Sequence, residues 1–312
     1  MTSVSIVLTL RSEPQERVDG VLAAVAAQGV GSEIVVALGA DDRARLRLPA
    51  DVLVVDNPGG RRSPGLNAAV RAASGEVVCR VDARSRPGSD YARRTAERLA
   101  VDSNIGVVGG VQQPVAAGPG AVPQGIARAL GNPWALGGAR YRRGGGGPVD
   151  TVYLGTYRRP ELLELGGFNE DLDANEDFEL CQRYRAAGLA VWLEDGLIVP
   201  YEVRATYTDV WKQYRAFGAS KVAYWRTTGS GPNTRQALAL GAGGVATMAG
   251  VAGLRRPGRL LGLAVGGLAA LAALDHVGGP DDADLAVRAA SVLAYGPIVG
   301  GWVAGVARAV LR

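Results

Sequence analysis

The chain has 312 residues, of which 47% are hydrophobic, and its formal net charge at pH 7 is only +4. This composition supports a sizeable core, and so small a positive charge gives no reason to expect a nucleic-acid partner. With one histidine and only two cysteines, Cys79 and Cys181, a multi-histidine zinc site, a histidine general base and a disulfide framework are all disfavoured. We expect two buried free thiols in a reducing compartment.

The first third of the chain alternates between strand and helix patterns. Four apolar runs predict buried strands: residues 4–10, 33–38, 51–55 and 76–81. Helices are expected from residue 14 to about 28 and over 64–73, where prolines can open them. Buried strands that alternate with helices predict a mostly parallel sheet with helices on both faces. Ligands of such sheets lie beyond the carboxyl ends of the strands, and Asp82 follows the fourth strand there.

The middle of the chain is less regular. Residues 105–111 and 149–157 have strand patterns, and the Gly- and Pro-rich stretch between them predicts mobile connections around one short helix. A second short helix is expected over 160–165. Asn175 is then expected to cap a helix that continues to about Ala187.

The last part of the chain is rich in Ala, Gly, Leu and Val. Residues 236–254 and 289–311 are almost free of charge, and 260–274 form a shorter apolar run. Because about 20 apolar residues cross the hydrocarbon core of a bilayer, we expect a domain at 1–228 followed by membrane-spanning or membrane-associated helices at 229–312. The expected connections carry Arg255, Arg256 and Arg259 in one case and Asp275, Asp281, Asp282 and Asp284 in the other, so the topology stays open.

Two acidic positions are candidates for chemistry. Asp82, at the end of a buried strand, could hold a Mg²⁺ or Mn²⁺ ion that bridges a diphosphate, or it could merely cap a turn. Asp177 lies at about the second position of a helix, next to Glu176. Its ionised carboxylate could take a proton from an attacking hydroxyl, although acidic residues also suit any helix N-terminus.

Arginines and aromatic residues form two further patterns. Arg61 and Arg62 follow the third strand, and Arg140, Arg142 and Arg143 surround Tyr141; these arginines could bind phosphate groups or could be solvated surface charges. Residues 211–221 combine aromatic and basic side chains just before the apolar tail. Such a stretch suits a membrane interface, and a helix packed on the sheet explains it equally well.

Four stretches carry a family resemblance: VSIVLTLRSE, SPGLNAAVRAASGEVVCRVDARSRPGSDY, GGARYRR and VDTVYLGTYRRPELLELGGFNEDLDANEDFELCQRYRAAG. Over residues 3–228 the chain resembles glycosyltransferase family 2, and most closely its succinoglycan-type, membrane-associated bacterial glucosyltransferases. The resemblance implies the GT-A fold, a Rossmann-like nucleotide-diphospho-sugar transferase architecture. It also implies a UDP-sugar donor, a Mg²⁺ or Mn²⁺ cofactor, and a polyprenyl-diphosphate-linked glycan as acceptor.

The resemblance also assigns roles to residues. It implies Asp177 as the catalytic base of an inverting displacement, Glu176 as its catalytic-site neighbour that shapes the acceptor pocket, and Asp82 as the metal ligand. The donor-binding residues would be Leu10, Arg11, Glu13, Asp41, Asp42, Asn67, Arg80 and Asp82. Those that bind the acceptor or its phosphates would be Arg140, Tyr141, Arg142, Gln213 and Lys221. Arg84 stands where the family has a second aspartate, so metal binding would rest on the single side chain of Asp82 or on the nucleotide itself.

Three functions follow as hypotheses. The first is transfer of one hexose, glucose from UDP-glucose, to a lipid-linked saccharide at the cytosolic face of the inner membrane. Transfer of a single sugar is favoured because Gln213 is present without the Arg-Trp of processive synthases. The second is a polyprenyl-phosphate sugar synthase, in which a lipid phosphate attacks. The third is a non-catalytic membrane protein that keeps the nucleotide-binding fold. No G-x-G-x-x-G follows the first strand, which disfavours a dinucleotide-dependent oxidoreductase.

Overall fold

The computed structural model describes residues 2–29, 33–133, 139–234, 236–241, 257–278 and 283–312. The chain forms two compact units. The first unit contains Met1–Gln113 and Arg140–Tyr201, and the second contains Pro114–Ala139 and Glu202–Arg312. The domain boundary that the sequence predicts, at residue 228, stays a prediction.

The strands and helices follow each other in chain order through both units. The strands are β1 Val4–Leu10, β2 Glu33–Leu38, β3 Val52–Asp56, β4 Val77–Arg80, β5 Ile105–Val115, β6 Gly147–Pro148, β7 Tyr153–Arg158 and β8 Ala190–Glu202. The helices are α1 Gln15–Ala26, α2 Ala40–Arg45, α3 Arg62–Ala72, α4 Tyr91–Val101, α5 Ala121–Gly131, α6 Arg140–Arg143, α7 Arg159–Glu164, α8 Glu176–Ala186, α9 Tyr207–Thr228, α10 Pro257–Gly278, α11 Leu285–Tyr295 and α12 Gly301–Val310. A π-helical turn, Gly296–Gly300, joins α11 to α12.

The strands make one sheet in the order β3-β2-β1-β4-β7-β5-β8-β6. The first four are parallel, β7 is antiparallel to β4 and to β5, and β6 is antiparallel to β8. The predicted α/β fold is confirmed, and β1 and β2 have the predicted bounds. The predicted strand at 149–157 is shorter, since β7 begins at Tyr153.

Apolar cores on both faces of the sheet explain the continuous apolar strands. Ile6 and Leu8 of β1 belong to one core together with α1 and α4, and Val7 belongs to the other together with α3 and α8. Both faces of β1 are therefore buried, as is typical of parallel strands. This packing fixes the carboxyl edge of β1 and β4, beyond which Asp82 lies.

In the part that the structure describes, the second unit is helical apart from the last residues of β5 and β8. Leu285–Val310, which comprises α11, the π turn and α12, is long and apolar enough to cross a membrane, with a mean hydropathy of 1.5 in its most apolar window. Of the 18 residues in this most apolar part, 44% are buried inside the protein. The expected segment 260–274 lies within α10, and residues 242–254 of the segment 236–254 lie outside the described residues.

Two residues expected in connections of the second unit lie in α10 instead, Arg259 in its first turn and Asp275 near its end. Asp275 was expected in an acidic connection, but it lies inside α10 and is buried. Its carboxylate pairs with Arg128 of α5 at 2.8 Å and accepts a hydrogen bond from the Ser291 hydroxyl of α11. The helices thus exclude this carboxylate from solvent and give it hydrogen-bonding partners.

Candidate active site

Asp82 is presented by a loop that the first unit holds firmly. β4 ends at Arg80, and the Ser85 amide donates to the Asp82 carbonyl at 2.9 Å, which closes a turn. The Ser85 hydroxyl is hydrogen-bonded to that of Tyr153, and the Arg86 amide donates to the Pro200 carbonyl at 3.0 Å. Sequence patterns did not single out Ser85 or Arg86, because their role depends on strands that are far away in the chain.

Two arginines and two carboxylates form a charged cluster at this edge. Arg80 reaches Asp82 with Nε, at 3.1 Å from Oδ1, and reaches Glu176 with Nη2, at 3.0 Å from Oε1. Arg62 Nη1 lies 3.4 Å from Asp82 Oδ2 and 3.7 Å from Glu176 Oε1. The structure therefore brings together three residues of the predicted site, Arg80, Asp82 and Glu176, and adds Arg62.

The members of this charged cluster differ in exposure. The side chains of Arg80 and Glu176 are 4% and 2% exposed, whereas those of Asp82 and Arg62 are 22% and 45% exposed. Arg80 and Glu176 thus form a buried pair beneath two groups that solvent reaches. The guanidinium of Arg80 also lies over the Phe168 ring, with Cζ 5.8 Å from the ring centroid.

Burial and neighbouring charges together shift the pKa values of Asp82 and Glu176 in opposite directions. Burial acts to raise the pKa of Asp82, but the attraction of Arg80 and Arg62 outweighs it and lowers that pKa below its ordinary value. Burial raises the pKa of Glu176; Arg80 opposes this, and repulsion from Asp177 adds to it. The nearby carboxylates raise the pKa of Arg80 well above its usual value against the effect of burial, so its charge is retained.

Asp177 differs from Glu176 in accessibility. Both lie in the first turn of α8, as expected, but Glu176 is buried and Asp177 is partly exposed. The expected cap is wrong in its geometry: Asn175 has φ 63°, in the left-handed region, and makes no side-chain cap hydrogen bond. Asparagine tolerates this conformation better than most residues do. The residue before the acidic pair therefore turns the chain sharply into α8.

Helix α3 is tied to the loop that precedes α8. Ser63 Oγ donates to the Leu172 carbonyl at 2.6 Å, and Asn67 exchanges two hydrogen bonds of 2.8 Å with the Phe168 backbone. These bonds use both the oxygen and the nitrogen of the Asn67 amide to position the loop; its predicted donor role stays a prediction. Arg62 begins α3, so the same ties hold its backbone close to the acidic pair.

The other predicted donor residues lie at the end of β1, in the loop that follows it and in α2. Leu10 is buried, whereas Arg11 and Asp41 are exposed. The Asp42 carboxylate accepts from the Ser12 amide at 3.0 and 3.1 Å, an arrangement that fixes the loop after β1. Glu13 pairs with Arg17 at 2.8 Å and lies 3.8 Å from Arg84 Nε. Arg84 thus contacts Glu13 from the neighbouring loop.

The predicted acceptor residues fall into both units. In the first unit, Arg140 donates to the carbonyls of residues 146 and 148, Arg142 donates to Gln112 Oε1 at 2.8 Å, and the Arg142 guanidinium lies over the Tyr141 ring. Gln213 and Lys221 lie on α9 in the second unit, where the Lys221 ammonium is 4.2 Å from the centroid of the Tyr224 ring. Binding of an acceptor by these residues stays a prediction.

The side chains around Asp82 do not make a binding site for a divalent cation. No group of three or more His, Cys, Asp or Glu side chains suited to a metal occurs among the residues that the structure describes. Both oxygens of Asp82 already face guanidinium groups, and the position two residues later is Arg84. Mg²⁺ and Mn²⁺ take several oxygen ligands. The predicted cation at Asp82 would have one protein carboxylate and two cationic neighbours.

Comparison with known proteins supports the predicted fold and resemblance. The chain is 28% identical over 192 residues to the succinoglycan biosynthesis protein ExoA of Rhizobium meliloti (strain 1021), an alignment that covers 61% of this chain and 57% of that protein. The chain thus matches little more than half of that relative's length. No protein-family model matches the chain.

The structure is similar to that of the mannosyltransferase PcManGT from Pyrobaculum calidifontis, which was solved in complex with GDP-Man and Mn²⁺. The TM-score is 0.55 at 17% sequence identity, with 99% of this chain and 87% of the other covered. The expectation of a glycosyltransferase fold is confirmed, and so is the resemblance to the succinoglycan-type proteins.

Proposed function

We propose that this chain is an inverting, non-processive glycosyltransferase in exopolysaccharide or cell-surface glycan synthesis. It moves one hexose, glucose from UDP-glucose, to a polyprenyl-diphosphate-linked saccharide. The glycosyltransferase fold and the similarity to a succinoglycan biosynthesis protein support this proposal. The donor sugar and the acceptor rest on the family resemblance of the sequence.

One observation carries the assignment of the base. Of the two adjacent carboxylates at the start of α8, Glu176 is buried against Arg80, while Asp177 is partly exposed. A general base must come within hydrogen-bonding distance of the proton it takes, so the accessible carboxylate is suited to this role. Glu176 is suited to positioning Arg80 beneath Asp82.

The reaction can be written with these groups. The Asp177 carboxylate accepts the proton of the acceptor hydroxyl while that oxygen attacks the anomeric carbon from the side opposite the diphosphate. A new C–O bond forms as the bond to the nucleoside diphosphate breaks, and the diphosphate leaves with the electron pair. Positive charge at the edge of the sheet stabilises this leaving group, whose charge grows in the transition state.

Asp177→Asn tests the base directly. Because a positioned general base contributes about 10²- to 10⁴-fold, transfer from UDP-glucose to a lipid-linked acceptor should fall by at least about 100-fold. The control is Glu97→Gln, which neutralises an exposed carboxylate on α4 and should leave the rate unchanged. Transfer by Asp177→Asn at the wild-type rate contradicts the assignment.

The same variant separates the alternative functions. A lipid phosphate needs no base, so a polyprenyl-phosphate sugar synthase would tolerate Asp177→Asn and would glycosylate polyprenyl phosphate. A non-catalytic protein would transfer no sugar, and if it had also lost the nucleotide site, UDP-sugars would not raise its melting temperature, since only ligands that bind the folded state stabilise it.

The proposal includes association with the cytosolic face of the inner membrane. It is supported by the apolar helix Leu285–Val310 and by the apolar composition of the last part of the chain. In fractionated cells, the protein should stay in the membrane pellet after an alkaline wash. Recovery in the soluble fraction would contradict this part of the proposal.

A further inference from the structure

The Arg62 guanidinium lies close to both carboxylates of the charged cluster, those of Asp82 and Glu176. Arg62 Nη1 is 3.4 Å from Asp82 Oδ2 and 3.7 Å from Glu176 Oε1. Beneath it, Arg80 contacts the same two carboxylates at 3.1 and 3.0 Å. Two positive side chains therefore face two acidic ones. A divalent ion at Asp82 would be repelled by both arginines.

Of these two arginines, only Arg62 is accessible to a ligand. The Arg80 side chain is 4% exposed and the Arg62 side chain is 45% exposed. The contacts of Arg62 are also longer than the 2.7–2.9 Å that is usual between charged donors and carboxylates. Arg62 can therefore turn toward an incoming anion, while Arg80 stays with Asp82 and Glu176.

The backbone of Arg62 is held in place at the start of α3 by contacts of its neighbours. The neighbouring Ser63 is completely buried and donates to the Leu172 carbonyl at 2.6 Å. On the other side, Arg61 Nε pairs with Asp173 at 3.0 Å. Both contacts reach the loop that leads to Glu176, so the guanidinium of Arg62 is placed at the acidic cluster by the fold.

We infer that Arg62 binds the diphosphate of the nucleotide and supplies the positive charge that a divalent cation would otherwise supply. A guanidinium presents several N–H donors in a plane and binds phosphate oxygens in pairs. In this arrangement Asp82 and Glu176 hold arginines in place, and Asp82 is not a metal ligand. The inference rests on the proposed function, because it assumes a nucleoside-diphosphate donor.

Nucleotide binding in the presence of a chelator tests the inference. UDP and GDP are titrated into the full-length protein in mild detergent by calorimetry, once with excess EDTA and once with Mn²⁺. The wild-type protein should bind at least one of them in EDTA with a dissociation constant within about threefold of the value in Mn²⁺. Losing hydrogen bonds to a charged group costs about tenfold or more in affinity, so Arg62→Gln should bind at least about tenfold more weakly in EDTA.

A matched control is available in α4. Arg93 is 49% exposed and pairs with Glu97, so Arg93→Gln removes an arginine of similar exposure away from the acidic cluster and should bind like the wild type. The melting temperature of each variant shows that it is folded. Arg62→Lys keeps the charge but not the planar donor group, and its affinity should lie between those of the wild type and Arg62→Gln.

The outcomes separate the inference from the proposed function. Binding that needs Mn²⁺, or an Arg62→Gln variant that binds as tightly as the wild type in EDTA, overturns the inference and leaves the glycosyltransferase proposal standing. Absence of nucleotide binding in both conditions overturns both. Chelator-independent binding that falls in Arg62→Gln and not in Arg93→Gln supports the inference.

Discussion

Each unit of this protein contains a buried pair of an arginine and a carboxylate, and the two pairs are built differently. In the first unit Arg80 meets Glu176 at 3.0 Å, with side chains 4% and 2% exposed. In the second unit Arg128 meets Asp275 at 2.8 Å, with side chains 5% and 2% exposed. Both pairs bring the desolvation cost of buried charges, so the difference between them lies in their surroundings.

The pair in the second unit is closed. Arg128 donates to the Asp275 carboxylate and also to the Asp275 carbonyl at 2.9 Å, and the Ser291 hydroxyl donates to the other carboxylate oxygen. The partners come from α5, α10 and α11. A buried ion pair that is hydrogen-bonded in this way fixes how three helices meet, and it presents no charge to a ligand.

The pair in the first unit is open. Arg80 divides its donors between Glu176 and Asp82, and Arg62 approaches the same carboxylates from the solvent side. The difference indicates that burial of an ion pair does not by itself mark a functional site. What distinguishes the candidate active site is the row of accessible charges that continues outward from the pair.

The closed pair should show the largest effect when it is broken. Asp275→Asn leaves the Arg128 guanidinium facing a neutral amide, and we expect a loss of about 3–5 kcal/mol in the free energy of unfolding, measured by urea denaturation in mild detergent. Glu97→Gln, in an exposed pair on α4, is the control and should cost about 0.5 kcal/mol or less. Equal effects of the two variants would mean that the closed pair contributes no more than a surface pair.

Packing between α9 and α12 of the second unit offers a second, smaller test. A Cβ added at Gly305 of α12 would meet the Arg215 backbone carbonyl of α9, so Gly305→Ala should force the two helices apart and cost about 1–3 kcal/mol. A Cβ at Gly266 of α10 meets nothing within 4 Å. Gly266→Ala should therefore stabilise the protein by up to about 1 kcal/mol through helix propensity, in the same unfolding measurement. A stabilising Gly305→Ala would show that α9 and α12 are not closely packed.

The sequence located the members of the open pair better than those of the closed pair, although it predicted neither contact. β4 and the start of α8 could be located because apolar runs and an acidic first turn are local signals, and they place Asp82 just beyond a strand and Glu176 at the start of a helix, where the structure has them. The contact of Arg128 with Asp275 joins residues 147 positions apart, and no local pattern marks it. Asp275 was assigned to a connection for that reason. The exposure of Arg62 above Arg80 likewise depends on how α3 is tied to the loop before α8.

The pH dependence of stability should show the smallest effect, and it should distinguish the wild type clearly from Glu176→Gln. Because burial raises the pKa of Glu176 in the folded protein, the folded state keeps that proton to a higher pH than the unfolded chain does. The stability of the wild type should therefore fall as the pH rises from the ordinary value of 4.5 to the raised pKa. In the wild type this fall should amount to about 1.4 kcal/mol for each unit by which the pKa is raised. Glu176→Gln cannot titrate at this position and should lack the fall.

The Asp82 carboxylate changes the stability with pH in the opposite direction and over a lower pH range. Its pKa is lowered, so its contribution is present above the ordinary value of 3.8 and is lost only as the pH falls through the lowered pKa. Urea denaturation of the wild type and of Glu176→Gln from pH 4.5 to 8 therefore isolates Glu176. Glu176→Gln should gain stability relative to the wild type as the pH rises, because only the wild type pays for ionising the buried Glu176 carboxyl. If the variant loses stability instead, attraction by Arg80 outweighs burial, and the open pair resembles the closed one.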